Sequence, residues 1–292
     1  MDESQLQSVR RFNRLITQRV GALEVDYLRR GRPLAEARLI FEISADGADV
    51  RALRGKLGLD SGYLSRLLQS LKAQGLIAMA KGDDDGRRRR VSLTRKGHTE
   101  RAAYDRLSDN LAASMLGPLD ASAQSRMLAA MGEVERLIRA ASVEVGAESP
   151  DSADSRLCLS AYFRELAARF EGGFDGTDDY AGVDDMTPPT GFFVIARLDG
   201  DAVGCGGLKL VDKATGEIKR VWTAPAARGM GVARRILRTL EAAARERGLK
   251  TLRLDTNRAL TEAHALYRSE GYEEVARFND NPYAHHWFNK QL

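Results

Sequence analysis

The 292-residue sequence predicts two domains in series: a mainly α domain first, then an α+β domain with a mixed, mostly antiparallel sheet. Three observations carry this. Apolar residues recur at helical spacing up to residue 141, interrupted by one short hairpin pattern around an arginine run. Beyond it, three strand patterns joined by Asp199-Gly200 and Thr215-Gly216 lead into a glycine-rich strand-to-helix loop. The chain is also too long for one ordinary core. At 43% hydrophobic and 29% charged residues, both halves can bury a core and stay soluble. No apolar run is long enough to span a membrane and the N-terminus lacks an apolar signal core, so a cytoplasmic protein is expected.

The charge is uneven. Residues 1–100 carry 20 Lys+Arg against 13 Asp+Glu, or +7, which leaves −3 of the overall +4 to the remainder. A basic half beside a mildly acidic one suggests that only the first meets a polyanion. Cys158 and Cys205 sit in apolar stretches without metal-ligand spacing and are expected as buried, reduced thiols; no metal site is predicted.

In the first half, Leu6, Val9, Phe12, Leu15, Ile16 and Leu23 predict a helix over 6–30 stopped by Gly31, with Pro33 opening the next. Leu34, Ala37, Ile40 and Phe41 give that second helix its buried face. Asp49 caps a third helix over 50–57, Gly58 stops it, and Asp60 or Ser61 caps a fourth reaching about Gln74. Helices separated only by Gly58-Leu59-Asp60 make a helix–turn–helix. Leu64, Leu67, Leu68 and Leu71 line one face of the fourth, leaving Ser61, Tyr63, Ser65, Arg66 and Gln69 able to face a DNA groove; Tyr63 also fits a core edge. Strands at 76–80 and 91–93 flank a loop holding Arg87, Arg88 and Arg89. Such a run is ordinarily solvated surface, but at a hairpin tip after a helix–turn–helix it suits a minor groove, where negative potential is concentrated.

Asp85-Gly86-Arg87, followed by Val91-Ser92-Leu93-Thr94-Arg95-Lys96-Gly97, resembles the wing of the MarR family of regulators, and the resemblance covers roughly residues 5–141. It implies a winged helix–turn–helix domain that binds a double-stranded DNA operator as a homodimer through its first and last helices, with Arg87 nearest the minor groove. Asp85 can instead pair with Arg87 and hold the loop. Helical patterns continue over 95–116 and, after Gly117-Pro118 and a cap at Asp120 or Ser122, to about Ala140. The domain boundary is placed at residue 141, giving domains 1–141 and 142–292.

In the second half a helix is expected over 157–170, strands over 192–197, 202–210, 217–223 and 252–256, and helices over 232–247 and 261–269. The loop Ala224-Pro225-Ala226-Ala227-Arg228-Gly229-Met230-Gly231-Val232-Ala233 joins a strand to a helix N-terminus, where free amide hydrogens and the helix dipole favour an anion. Gly229 and Gly231 let the backbone approach phosphate oxygens, and Arg228 adds charge. A plain turn is the competing reading. The Gly-Lys-Ser/Thr tail of a P-loop and the third glycine of a dinucleotide fingerprint are both missing.

Arg228-x-x-Gly231-x-Ala233, the strand from Glu217 to Thr223, Asn257, and Ala263-His264-Ala265-Leu266-Tyr267 through Tyr272 together resemble the GNAT family of N-acetyltransferases, over roughly residues 142–292. The resemblance implies acetyl-CoA as cosubstrate, held by Val221, Trp222, Thr223, Arg228, Gly229, Met230, Gly231, Val232 and Ala233, with Tyr267 beside it and Asn257 either contacting it or holding the strand splay open. It implies Glu217 as general base through water, Tyr267 as general acid toward the leaving thiolate, and a carbonyl-polarising amide within 221–224. Glu217 also fits a surface strand position and Tyr267 a core position.

The acceptor is expected to be a small amine, amino acid-like or a toxic natural product. Its pocket would be formed by Phe163, Arg164, Phe170, Phe174, Tyr283, His285 and His286, with at most one of the adjacent histidines facing in. Stretches 171–175 and 178–185 are candidates for a lid. The sequence therefore reads as a bifunctional regulator and acetyltransferase. The alternatives are a regulator whose second domain only senses a ligand or acetyl-CoA, and a protein-lysine acetyltransferase.

Overall fold

A computed structural model describes residues 2–81, 89–174 and 184–292. The chain divides into two compact units, Met1–Leu128 and Ala129–Leu292, and the division falls inside the helix Ala121–Ala141.

The first unit opens with α1 (Glu3–Arg19), capped by Asp2. It stops well short of Gly31, because the chain turns at Gly21, which takes φ 68°, and a short 3-10 turn, Tyr27–Arg29, follows. Then come α2 (Leu34–Glu42), β1 (Ala48–Asp49), α3 (Val50–Leu57), α4 (Ser61–Ala73), β2 (Ile77–Lys81), β3 (Arg89–Leu93), α5 (Arg95–Leu116) and α6 (Ala121–Ala141). Asp49 accepts from the amides of Arg51 and Ala52, Asp60 from that of Tyr63, and Asp120 from that of Ala123, so aspartate rather than serine caps α4 and α6. The strand β1 has no sequence signal; two residues add it to an antiparallel sheet ordered β1-β3-β2. Leu39, Ile40, Leu53, Leu64, Leu68 and Leu71 form the core.

The Leu-Thr-x-x-Gly segment has a local cause. Thr94 caps α5 by accepting from the Gly97 amide (3.1 Å) and donates its hydroxyl to the Gly75 carbonyl (2.7 Å). A Cβ on Gly97 would lie 2.0 Å from the Leu76 carbonyl oxygen, so only glycine lets the helix start this close to β2. Beneath it Glu100 is clamped by Arg30 and Arg32 at 2.6 Å each, and these arginines hold its pKa down to about 2 against the effect of burial.

The second unit contains β4 (Glu144–Ala147), α7 (Ala153–Arg169), β5 (Gly191–Leu198), β6 (Asp201–Leu210), β7 (Thr215–Thr223), α8 (Val232–Glu246), β8 (Thr251–Thr256), α9 (Thr261–Ser269), β9 (Glu273–Val275) and β10 (His286–Gln291). The sheet order is β4-β5-β6-β7-β8-β10-β9, and among the described residues β7–β8 is the one parallel pair, the rest being antiparallel. Strand alternation feeds two cores. Phe193 and Ile195 of β5 meet α7, while Val194, Ala196 and Leu198 meet Ile236, Leu237 and Leu240 of α8. Cys158 and Cys205 are free and buried in the α7 core. No described helix is long and apolar enough to cross a membrane.

Candidate active site

The site originates in a failure of strand pairing. The parallel register of β7 and β8 ends at Glu217 opposite Arg253, yet β7 continues to Thr223 and β8 to Thr256. Beyond that point the strands part, and their facing main-chain groups open into a gap. On its other edge β7 carries a bulge: Cys205 pairs with Trp222 and Gly207 with Lys219, so Arg220 and Val221 together oppose Gly206. Arg220 takes φ 57° there, and its guanidinium lies 5.4 Å from the centre of the Phe163 ring. Val221 and Tyr267 border both cavities that meet at this gap, one of about 440 Å³ and one of about 550 Å³.

The first cavity lies along the glycine loop. A 3-10 turn, Pro225–Ala227, leads through Arg228 to Gly231, which takes φ 73° and precedes α8 without supplying a side-chain cap. Among the described residues, nothing accepts from the amides of Gly229 and Gly231, and the first-turn amides of α8 have no acceptor within the helix. A Cβ on Gly231 would stand in open space, so any side chain would project into the cradle. Thr223 Oγ1, on the same wall, is buried without a partner. A row of unused donors at a helix N-terminus fits a pyrophosphate, and the residues present are therefore suited to coenzyme A.

Glu165 of α7 closes the cavity. Its carboxylate accepts from Trp222 Nε1 (2.9 Å) and pairs with Arg228 (2.5 Å) and Arg169 (3.2 Å). Burial raises the Glu165 pKa, but the Trp222 and Arg169 hydrogen bonds and the Arg228 charge outweigh it and keep the group ionised. Arg136 of α6 donates to the Gly229 carbonyl (3.3 Å), and Arg235 of α8 to the Val143 carbonyl (2.8 Å). Burial, aided by the Asp255 charge, pushes the Tyr267 phenol above its ordinary pKa and keeps it protonated.

The second cavity has an aromatic end and a polar end. Phe174 packs against Phe163 (5.9 Å), Phe170 (5.8 Å) and Tyr283 (4.8 Å). At the polar end Lys219 bridges Glu217 (2.5 Å) and Asp255 (2.8 Å), and Arg253 holds the far side of Glu217 (2.8 Å). Asp255 also accepts from Asn281. Burial alone would raise the Asp255 pKa, but Lys219 lowers it; the two carboxylates likewise raise that of Lys219 against its own burial.

Most residues expected at the cofactor line the first cavity: Val221, Trp222, Thr223, Arg228, Gly229, Gly231, Val232, Ala233 and Tyr267. Met230 does not; it packs against the α8 core. Asn257 borders the second cavity, where Nδ2 donates to the Tyr283 carbonyl (2.7 Å) and Oδ1 accepts from the Ala259 amide (2.9 Å), so it ties the pocket wall in place. Glu217 lines neither cavity, because it lies before the splay with its carboxylate tied to Lys219 and Arg253. Phe163, Phe170, Phe174 and Tyr283 line the second cavity. His285, His286 and Arg164 do not: His286 pairs with Glu274 (2.7 Å), the His285 amide joins the β8 edge at Thr256, and Arg164 folds back on Ser160. The sequence reading missed Tyr162, Glu165, Lys219 and Asp255. Among the described residues no cluster of three or more His, Cys, Asp or Glu is placed to hold a metal ion. Of the two stretches considered as a lid, residue 175 and residues 178–183 lie outside the described residues.

Of the α4 residues expected to face DNA, Ser61, Arg66 and Gln69 are exposed, while Tyr63 and Ser65 are half-buried. Tyr63 packs on the core edge, with the Arg66 guanidinium 5.8 Å from its ring centre. Arg89 is exposed on β3; Arg87 and Arg88 lie outside the described residues. Arg90 Nε donates to the Asp46 carbonyl (3.2 Å), which braces the hairpin.

A parallel pair splaying beside a glycine-rich helix start, with a second cavity across the gap, defines an acyltransferase-type domain; a helix–turn–helix with a hairpin defines a regulator-type domain. Residues 159–272 match the acetyltransferase (GNAT) family and residues 30–88 the MarR family. The IAA acetyltransferase of Azospirillum brasilense is 38% identical over 87 residues, 30% of this chain and 57% of that protein. The uncharacterized N-acetyltransferase YsnE of Bacillus subtilis is 32% identical over 101 residues, 34% of this chain and 67% of that protein. A crystal structure of a GNAT family acetyltransferase from Staphylococcus aureus is similar at 15% identity and a TM-score of 0.46, covering 51% of this chain and 99% of that one. The chain spans 50–67% of the length of the curated relatives it matches. It belongs to the GNAT family through its second domain and carries a MarR-family domain in its first.

Proposed function

We propose that the chain is a bifunctional protein: a DNA-binding regulator over residues 1–141 and an acetyl-CoA-dependent N-acetyltransferase for a small amine over 142–292. The observation that carries the second activity is the meeting of two cavities at Val221 and Tyr267, one lined by unused amide donors and the other by side chains. Acetyl-CoA supplies an activated acetyl thioester. The amides of Gly229, Gly231 and the first turn of α8 bind its pyrophosphate. The main chain of the splayed β7 stretch polarises the acyl carbonyl. Asp255, the one carboxylate among the described lining residues of the second cavity, draws the acceptor's ammonium to the gap and takes its proton onward to water. Glu217 acts behind it, through Lys219. Tyr267, kept protonated by burial, gives its proton to the sulfur as the C–S bond breaks and the N–C bond forms. The test is thiol release from acetyl-CoA across an amine panel. Amine-dependent release that Tyr267→Phe slows supports the reading, and release unchanged in that variant contradicts the assignment.

The first activity rests on α4, whose Ser61, Arg66 and Gln69 are exposed, as is Arg89 on β3. Arg66→Ala is expected to weaken duplex binding and to reduce the log–log salt slope by about 1 if it contacts a phosphate. Unchanged binding would remove α4 as the reading helix. A homodimer is supported by apolar residues left exposed on the first and last helices of the domain: Val9, Phe12 and Leu15 on α1, and Met131, Val134 and Leu137 on α6. Phe12→Glu should yield monomers in light scattering. An unchanged dimer would place the interface elsewhere.

A further inference from the structure

We infer that the acceptor is an arylalkyl amine, a primary amine carrying an aromatic ring on a short aliphatic arm. The inference rests on the transfer reading above and names its substrate class.

The argument starts from how the second cavity is divided. At one end Asp255 is held between Lys219 and Asn281, next to the splay. Asn279 bonds the same carboxylate, and of the roughly four acceptor positions of a carboxylate one remains after these three bonds, so an incoming ammonium finds a fixed, ionised partner without displacing any of them. At the other end Phe163, Phe170, Phe174 and Tyr283 present rings rather than aliphatic chains. Phe174 sits among them nearly parallel to Phe163 (9°), edge-on to Phe170 (83°) and tilted 51° to Tyr283. Phe163 and Phe170 are buried behind this packing, and the half-buried Phe174 and Tyr283 keep ring surface for the cavity. Offset-stacked and edge-to-face pairing both stabilise a planar guest beyond its buried area.

The complementary shape is an amine at one pole and a ring at the other. A linear polyamine would place further cations against the rings with no second carboxylate among the described lining residues to pair them. A lysine side chain would leave the ring faces mostly uncovered. An aminoglycoside would bury hydroxyls against carbon. Lys219 and Arg220 also line the cavity, which disfavours a guest with more than one cation; of these candidates the aryl amine meets both ends.

The experiment uses the full chain with acetyl-CoA and reads thiol release for 2-phenylethylamine, tryptamine, n-butylamine, spermidine and a lysine-containing peptide. The same amines are titrated by calorimetry in the presence of coenzyme A. The two aryl amines are expected to exceed n-butylamine in kcat/KM by about 30- to 100-fold, the effect of burying one extra ring. Phe174→Ala should lower kcat/KM for the aryl amines about tenfold while sparing n-butylamine, and Phe174→Tyr should restore it. Acetyl-CoA affinity unchanged in both variants confirms that the domain is folded. Equal or better turnover of spermidine or the peptide overturns the inference and leaves the transfer reading standing. Heat from 2-phenylethylamine without turnover of any amine does the reverse, keeping the pocket assignment and removing the transferase.

Discussion

The two cavities share Val221 and Tyr267 but are made of different material. The first, the proposed cofactor cleft, draws its unused donors from the main chain, the amide hydrogens of a glycine loop and a helix start within residues 229–234, beside side chains of α7, β7 and α9. The second, the proposed acceptor pocket, is assembled from side chains of α7, β7, β8, α9 and the loop before β10. A main-chain site recognises one thing, a phosphate, and tolerates side-chain change so long as the backbone path survives. A side-chain site can be retuned by single substitutions. On the proposed reading the cosubstrate is fixed by geometry, while the acceptor is free to differ among domains of the same fold.

That contrast can be broken most sharply at Gly231. Valine there meets a φ of 73° and projects into the cradle, so acetyl-CoA affinity should fall by at least about 100-fold, as loss of more than one charged hydrogen bond implies. Calorimetry checks it, and affinity within threefold of wild type (~0.7 kcal/mol) would mean that the amides are not the binding element. Next is Tyr267→Phe, which leaves the shape and removes a proton. A fall in kcat of roughly 10- to 100-fold with KM for acetyl-CoA unchanged is expected in steady-state kinetics. A change in KM alone would make Tyr267 a wall residue.

Smaller effects sharpen the comparison. Arg136→Ala removes a bond to the Gly229 carbonyl from an exposed side chain. It should weaken acetyl-CoA binding only about two- to fivefold and leave the preference among amines untouched, because it acts on the main-chain site alone. A changed amine preference would show that the two cavities are not separable. Glu100→Gln lies outside both. Paired with Arg30 and Arg32, Glu100 has a folded pKa of about 2, below its ordinary 4.5. Its stabilisation is therefore complete above about pH 4.5 and lost as pH falls toward 2. The variant should lose about 1–2 kcal/mol of stability at pH 7, with the difference from wild type shrinking in melts below pH 4.5. A difference that does not change with pH would mean that packing, not charge, holds this corner.

The same division governs what could be read from the sequence. The cleft was legible because its parts are consecutive, and Arg228, Gly229 and Gly231 announce a strand-to-helix loop by themselves. Met230 was misplaced there because proximity in the loop says nothing about which way a side chain turns. Four pocket aromatics were also legible as candidates. Asp255 was not: its partner Lys219 lies 36 positions away, and only tertiary structure buries the pair together. Glu217 drew attention by its place at the start of a strand, but strand pairing persists to that residue and opens only beyond it. His285 and His286 look functional in sequence, yet the chain spends them on the sheet edge and on Glu274. In the first domain the caps at Asp49 and Asp60 were plain, whereas β1 arises only because β3 offers it an edge.

The most direct measurement is a calorimetric titration of acetyl-CoA into the full chain, alongside Gly231→Val. Saturable binding of one molecule per chain, lost in the variant, is the predicted result. No binding by the wild-type chain, or equal binding by both, would contradict the claim that main-chain amides at the start of α8 hold the cosubstrate.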